Sequence, residues 1–410
     1  MPSPRAVNWG KITEDSLRVL LERKDVPRRR RGSMSRRDDR TDEATGSRTP
    51  DDSGDYTRIS RELAGRYSRA IADVNPLYRD RKYAEQSIWG RLIVPPGVLA
   101  WTEQVNGATD GFPGCHTIWR GCELEWERPI FVGERVYSTT YLRDARIVES
   151  GFGGGIAAVQ DYETIAEDAD GRTIGWYRTS WHRFERGGAK EAKKYVEMER
   201  PQWTDEDLDA IRDEYHRQNF AHHRGADPLF WEDVEEGVEI PYILKGPTTL
   251  TSKLAFESLG WPGGWVVGHE LAIDLFERYP ALPIRNEENV PEPPVAIHWT
   301  NERAQKHLGM PAAYEAGYER LNWFTQLIMS WMGDHGMLRK LSMQFKGFHW
   351  QGDLIRLHAR VTDSEVVDDR HLVHLAIDTV TQRGEVTTEG AATVELPARA
   401  TGRPVWTAEG

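Results

Sequence analysis

His298 and Asp73 are the residues of this chain best suited by type and setting to move protons. An imidazole titrates near neutrality, and a carboxylate nearby can share the work of general acid–base catalysis with it. Here the two types are split. Asp73 stands five residues before Tyr78 in the run Asp73-Val74-Asn75-Pro76-Leu77-Tyr78, whereas Pro293 stands five residues before His298, with Glu292 adjacent. A tyrosine is a weak base at neutral pH, its ordinary pKa being about 10. Glu292, Thr300 and Asn301 are the polar candidates near His298; Asp73 reads equally well as a turn residue, and Glu292 as a solvated loop acid. Gly97 and Gly317 each open an apolar helical stretch. An N–H at a helix start has no intrahelical acceptor and sits at the positive end of the dipole, so it can hold an oxyanion. The same glycines also suit close helix-on-strand packing. Arg320, one turn further on, suits a phosphate or carboxylate, or a pair with Glu315 or Asp334.

The elements that must carry these residues repeat. Tyr78 and His298 are 220 residues apart, Gly97 and Gly317 are also 220 apart, and Gly133-Glu134 and Gly352-Asp353 are 219 apart. Three anchors at nearly one offset signal a duplicated architecture. Each half runs from a polar loop through a helix into long alternating strands. Leu321, Phe324, Ile328 and Trp331 place an apolar face on the second helix. Long antiparallel strands after one helix describe an α+β layer in which the sheet wraps the helix. The domains expected are a short N-terminal helix (residues 11–23) with a charged segment to residue 55, a first half over 56–190, and a charged connector over 191–227. A second half follows over 228–398, and a tail over 399–410. The Pro-, Gly- and acid-rich insertion 261–294 is a candidate lid or pocket wall.

Bulk properties narrow the field. The 410 residues exceed one ordinary core, and 39% hydrophobic with 29% charged is a globular balance. No apolar run reaches the roughly 18–20 residues of a membrane helix, and the N-terminus has no signal-peptide pattern. Two cysteines, Cys115 and Cys122, suit a reducing cytoplasm and give no zinc-ligand spacing. A net charge of −12 argues against a general nucleic-acid binder; the basic cluster from Arg28 to Arg37 reads as a solvated segment. His222-His223 lacks a second ligand pair, Asp334-His335 reads as a helix-terminal feature, and Gly153-Gly154-Gly155 reads as a hairpin turn.

The run Asp73 to Tyr78, with Tyr83-Ala84 and Gly90 after it, resembles the hydratase signature of MaoC-like proteins, in which a histidine stands at the position of Tyr78. The run Trp126 to Val136 (WERPIFVGERV) resembles the family's strand after the central helix, and His298 to Arg320 with Trp331 to Leu341 resembles the second half of long acyl dehydratases. The resemblance implies a double hotdog, an α+β fold with each antiparallel sheet wrapped around a central helix. It implies reversible water addition to a 2-enoyl thioester of coenzyme A or acyl carrier protein, without metal or redox cofactor, in a homodimer; the composition adds the expectation of a cytoplasmic protein that binds neither nucleic acid nor membrane. On this resemblance His298, Asp73 and Glu292 are the catalytic candidates. Gly317, Gly97, Tyr78, Asn301 and Arg320 are the oxyanion or substrate-binding ones. Two alternatives stand beside it: a non-catalytic acyl-thioester-binding subunit, and a hotdog thioesterase.

Overall fold

A computed structural model describes residues 10–28, 56–150, 155–185, 198–259, 266, 268–278 and 283–407. The segment 29–55, most of the basic cluster, the glycines 153 and 154, the start of the connector and parts of the insertion lie outside the described residues.

Nine helices are formed among the described residues: α1 (Glu14–Leu21), α2 (Arg61–Ala70), α3 (Arg81–Gln86), α4 (Val98–Trp101), α5 (Asp205–Tyr215), α6 (Leu250–Glu257), α7 (His269–Arg278), α8 (Asn301–Leu308) and α9 (Gly317–Met332). Side-chain caps set several starts. Thr13, Ser60, Asp80, Thr204, Thr249 and Thr300 each accept a hydrogen bond from an N–H of the first turn, the usual way of meeting those orphan donors.

The strands are β1 (Thr57–Arg58), β2 (His116–Trp126), β3 (Arg135–Ser150), β4 (Gly155–Glu167), β5 (Thr173–Phe184), β6 (Ile243–Lys245), β7 (Ile284–Arg285), β8 (Pro291–Glu292), β9 (Met337–Phe345), β10 (Ile355–Val367), β11 (Arg370–Thr381) and β12 (Val386–Glu395). Ten of them make one sheet in the order β1-β3-β4-β5-β2-β9-β12-β11-β10-β6. The halves mirror each other, five strands apiece, and join antiparallel through β2 and β9 between Gly121↔Gln344 and Glu125↔Lys340. The two wrapped sheets expected from the sequence are therefore halves of one continuous sheet. The duplication extends to the backbone. Gly90 and Gly309 both take left-handed φ (66° and 68°), and Gly133 and Gly352 both take φ near 100° (103° and 97°), a region that favours glycine.

The central helices differ between the halves. α9 runs sixteen residues and is buried around most of its circumference, including Glu319, Arg320, Asn322 and Thr325. It lies inside the fold, where a single apolar stripe would also have allowed it to lie on a sheet. Its counterpart α4 is one turn. Beyond Thr102 the chain turns away: Glu103 accepts a hydrogen bond from Asn106 Nδ2 at 2.7 Å, and a Cβ on Gly107 would lie 2.4 Å from the Trp181 side chain. The Tyr318 hydroxyl of α9 reaches across to the Glu103 carboxylate.

Candidate active site

The equivalent loops of the two halves each end in a 3-10 turn opened by proline, Pro76–Tyr78 and Pro294–His298. This puts Tyr78 and His298 at matching places. The His298 ring packs edge-on against Tyr314 with centroids 4.3 Å apart, and its Nδ1 lies 3.0 Å from the Tyr314 carbonyl. A carbonyl only accepts, so Nδ1 carries the proton and Nε2 is left as the basic nitrogen. No described residue hydrogen-bonds Nε2. Burial, helped by the Lys253 ammonium, pulls the imidazole pKa down to about 4, so the ring is neutral at physiological pH.

Tyr314 precedes Gly317 by three residues, so the bonded imidazole sits beside the start of α9. The Gly317 N–H is the first of that helix and donates to no described acceptor. A Cβ on Gly317 would meet Trp119 Cε3 at 2.6 Å and Phe345 at 3.2 Å, so close packing also requires glycine there. Gly97 is packed more tightly still: its Cβ would fall 2.1 Å from Asn322 Oδ1.

Three groups that no motif announced converge near His298. Lys253 and Glu257, one turn apart on α6, and Glu319, one turn into α9, are all buried. Lys253 Nζ donates to the His298 carbonyl. Trp299 Nε1 donates to Glu257 Oε2 at 2.5 Å, and Glu319 Oε2 accepts the Ala316 N–H at 3.3 Å. Desolvation pushes both glutamates up toward their protonated forms and Lys253 down toward its neutral form, and each carboxylate and the ammonium offset part of that in the other. The helix caps of α6 and the apolar register of α9 were readable; that three polar positions on them meet was not.

The other sequence candidates have structural employment. Glu292 pairs with Arg303 through Nη1 at 2.8 Å and Nη2 at 3.1 Å and accepts Asn286 Nδ2 at 2.9 Å, so its carboxylate is engaged away from His298. Asn301 Oδ1 accepts the Ala313 N–H at 2.9 Å. Arg320 takes the Glu315 option: its Nε donates to Glu315 Oε1 at 3.0 Å and its Nη1 to the Thr387 carbonyl at 2.8 Å and Thr388 Oγ1 at 2.7 Å. Glu315 is thereby held down to about 2 by the guanidinium and by His349, against its own desolvation. Asp73 accepts the Asn75 N–H at 3.0 Å in a turn, and burial raises its pKa. Tyr78 is fully buried beside Asp73 and Asp334, which with desolvation push its hydroxyl well above the usual range. These two residues lie with Lys245 and Gln326, further along α9, and not with His298.

Residues 44–175 match the family described as FAS1-like, dehydratase domain region. No curated protein matches the chain. Among solved structures the chain is similar to a MaoC-like dehydratase at 15% identity and a TM-score of 0.55, covering 84% of this chain and 95% of that one. It is also similar to a MaoC domain protein dehydratase from Chloroflexus aurantiacus at 10% identity and a TM-score of 0.52, covering 84% and 93%. A conserved hypothetical protein from Mycobacterium tuberculosis described as having a double hotdog fold matches at 10% identity and a TM-score of 0.50, covering 83% and 93%. The chain is a double hotdog protein. The dehydratase-region match covers residues 44–175, and the likeness to MaoC-like dehydratases is one of fold. Among the described residues no helix is long and apolar enough to cross a membrane.

Proposed function

We propose that this chain is an acyl-thioester hydratase or dehydratase that adds water reversibly to a 2-enoyl thioester of coenzyme A or acyl carrier protein. The observation that carries the reading is His298: neutral, tautomer set by the Tyr314 carbonyl, Nε2 unengaged, and beside the N-terminus of α9. In the dehydration direction His298 Nε2 takes the proton from C2, and the electrons of that C–H bond move onto the thioester oxygen as an enolate. The Gly317 N–H donates to that oxygen. The enolate then re-forms its carbonyl, the C3–O bond breaks, and the departing oxygen takes a proton from the Glu319 carboxyl and leaves as water. Glu319 stands in for the carboxylate that Pro293 denies the loop, and burial supplies the proton it needs. Domain bounds of 56–190 and 228–398 and a homodimer belong to the same reading and rest on the resemblance; a cytoplasmic setting rests on the two cysteines.

The test is loss of the enoyl-thioester absorbance with a panel of 2-enoyl-CoA chain lengths. Formation of 3-hydroxyacyl-CoA without free thiol, abolished in His298→Ala, supports the reading; free thiol would indicate a thioesterase instead. A second reading, a non-catalytic acyl-thioester-binding subunit, is favoured by one observation, the engagement of Glu292 by Arg303. Binding of the panel with no turnover would select it.

A further inference from the structure

The His298 turn is gripped from one side by a single helix. Lys253 and Glu257 stand four residues apart on α6, so their side chains share one face. Lys253 Nζ donates to the His298 carbonyl, and Glu257 Oε2 accepts Trp299 Nε1 at 2.5 Å. Two hydrogen bonds from one helix face thus fall on two consecutive residues of the turn. Both helix residues are buried, Lys253 at 3% and Glu257 at 5% exposure. Apolar side chains of similar size would hold two packed elements together at least as well as buried ionisable ones. What the polar pair adds is a fixed place for the backbone of the turn.

The helix is itself anchored at both ends. At its start the Thr248 N–H donates to the Asp353 carbonyl at 2.9 Å, the Gly352 N–H to the Thr248 carbonyl at 2.9 Å, and Thr248 Oγ1 to the Trp350 carbonyl at 2.9 Å. The same segment carries Tyr314: the Gln351 N–H donates to the Ala313 carbonyl at 2.8 Å, and the Glu315 N–H to the His349 carbonyl at 3.1 Å. Two restraints on His298, the Tyr314 carbonyl on its Nδ1 and Lys253 on its own carbonyl, are therefore anchored to one short stretch of chain. At the other end of α6 the first half takes hold. Trp101 Nε1 donates to the Leu259 carbonyl at 3.1 Å and Arg66 Nη2 to the Ser258 carbonyl at 3.2 Å, meeting carbonyls that a helix leaves open at its C-terminus.

We propose that Lys253 is a positioning residue for His298 and that α6 is the bar through which it acts, holding the backbone of the turn while Tyr314 holds the ring, so that Nε2 keeps one direction. Lys253 touches no reacting atom in this role. Its charge bears on the ring as well. His298 faces the Lys253 ammonium from α6 and the Glu315 carboxylate from the segment before α9, and Lys253 in turn faces Glu257 and Glu319. The ammonium opposes a proton on the imidazole and so helps to keep it a base. The step that this positioning serves rests on the hydratase reading; the hold on the ring does not.

The test is nitrogen-15 NMR of the full chain with labelled histidine, the His298 signals assigned by their loss in His298→Ala, together with turnover of the 2-enoyl-CoA panel. The wild-type ring is expected in the neutral Nδ1–H form, gaining its second proton only near pH 4. Lys253→Met removes donor and charge at nearly constant volume. It should raise that titration, with burial still holding it below the ordinary value of about 6.5, and lower kcat about 10–100-fold with KM little changed. Lys253→Arg, which keeps both donor and charge, should restore the titration and most of kcat. Trp299→Phe removes the second bond without touching a charge and should lower kcat by a smaller factor; it decides the matter where Lys253→Met does not fold. An unchanged kcat in folded Lys253→Met, or in Trp299→Phe where that variant has to decide, overturns the positioning role and leaves the hydratase reading standing. A kcat loss with no shift in titration and no rescue by Lys253→Arg is a packing loss and overturns it too. A wild type that turns over none of the panel, with the titration shift present in Lys253→Met, overturns the hydratase reading and leaves the hold of Lys253 on the ring.

Discussion

The Pro76–Tyr78 turn of the first half and the Pro294–His298 turn of the second share a proline-opened 3-10 turn and flanking glycines of like φ, yet they carry opposite members of the acid–base pair that the resemblance implies. The first keeps Asp73 and has Tyr78 in place of the imidazole; the second keeps His298 and has Pro293 in place of the carboxylate. Around the His298 turn the buried carboxyls of Glu257 and Glu319 come from α6 and α9; the Asp73 loop is held instead by Lys245 and Gln326. The environments also differ. His298 has an unengaged nitrogen beside the free N–H of a sixteen-residue helix, whereas the helix after Tyr78 is one turn and its opening glycine is pressed onto Asn322. The two turns thus hold one backbone geometry around different side chains and different surroundings.

The sharpest way to break this comparison is to remove one retained group from each half. His298→Ala should lower kcat by about 10²–10⁴, the usual worth of a general base, with an unchanged unfolding temperature by calorimetry. Asp73→Asn should leave kcat unaffected. Equal losses in the two variants would mean that the halves work as one site. Stability separates the halves next. Arg320→Ala strands the buried Glu315 carboxylate and should cost about 3–5 kcal/mol in denaturant unfolding. Its activity should be retained where the fold survives.

Acid titration gives a smaller effect of known sign. Glu315 has a folded pKa of about 2 against an ordinary value of 4.5. Its stabilisation is therefore complete above pH 4.5 and lost as pH falls toward 2, amounting to about 3 kcal/mol. Glu315→Gln should flatten that part of the pH–stability curve. His298 works the other way in function: a pKa near 4 keeps it basic at pH 5, so the acid limb of kcat/KM should fall near pH 4 and not near 6.5. A limb at 6.5 in protein still folded by circular dichroism would remove His298 as the base.

Much of the frame was legible. Prolines opening both turns, glycines at matching positive φ and the apolar spacing of α9 are local signals, and local signals survive in sequence. The length of α4 was not legible, because the turn after Thr102 is held by Glu103 bonding Tyr318 from the other half. Lys253, Glu257 and Glu319 were equally hidden. Each alone reads as a helix surface charge, and only the burial of α6 against α9 makes them a cluster. His223 stands in a charged connector with no ligand spacing, and it is the Arg224 bonds to the Ser330 and Trp331 carbonyls that hold that segment against the end of α9.

The two helix-opening glycines allow the finest discrimination. A Cβ at either position collides with a neighbour, Asn322 Oδ1 at Gly97 and the Trp119 ring at Gly317, so Gly97→Ala and Gly317→Ala should each cost about 1–3 kcal/mol by overpacking. If only packing matters, the two variants lose stability and keep kcat alike. If the Gly317 N–H holds the thioester oxygen, the displacement forced by Trp119 should lower kcat in that variant beyond what its stability predicts. Because a donor used only in the transition state acts on kcat and not on KM, the KM of Gly317→Ala should stay near that of Gly97→Ala while the kcat values diverge. Matching kcat values in the two variants would return Gly317 to a packing role and leave the enolate without its assigned donor.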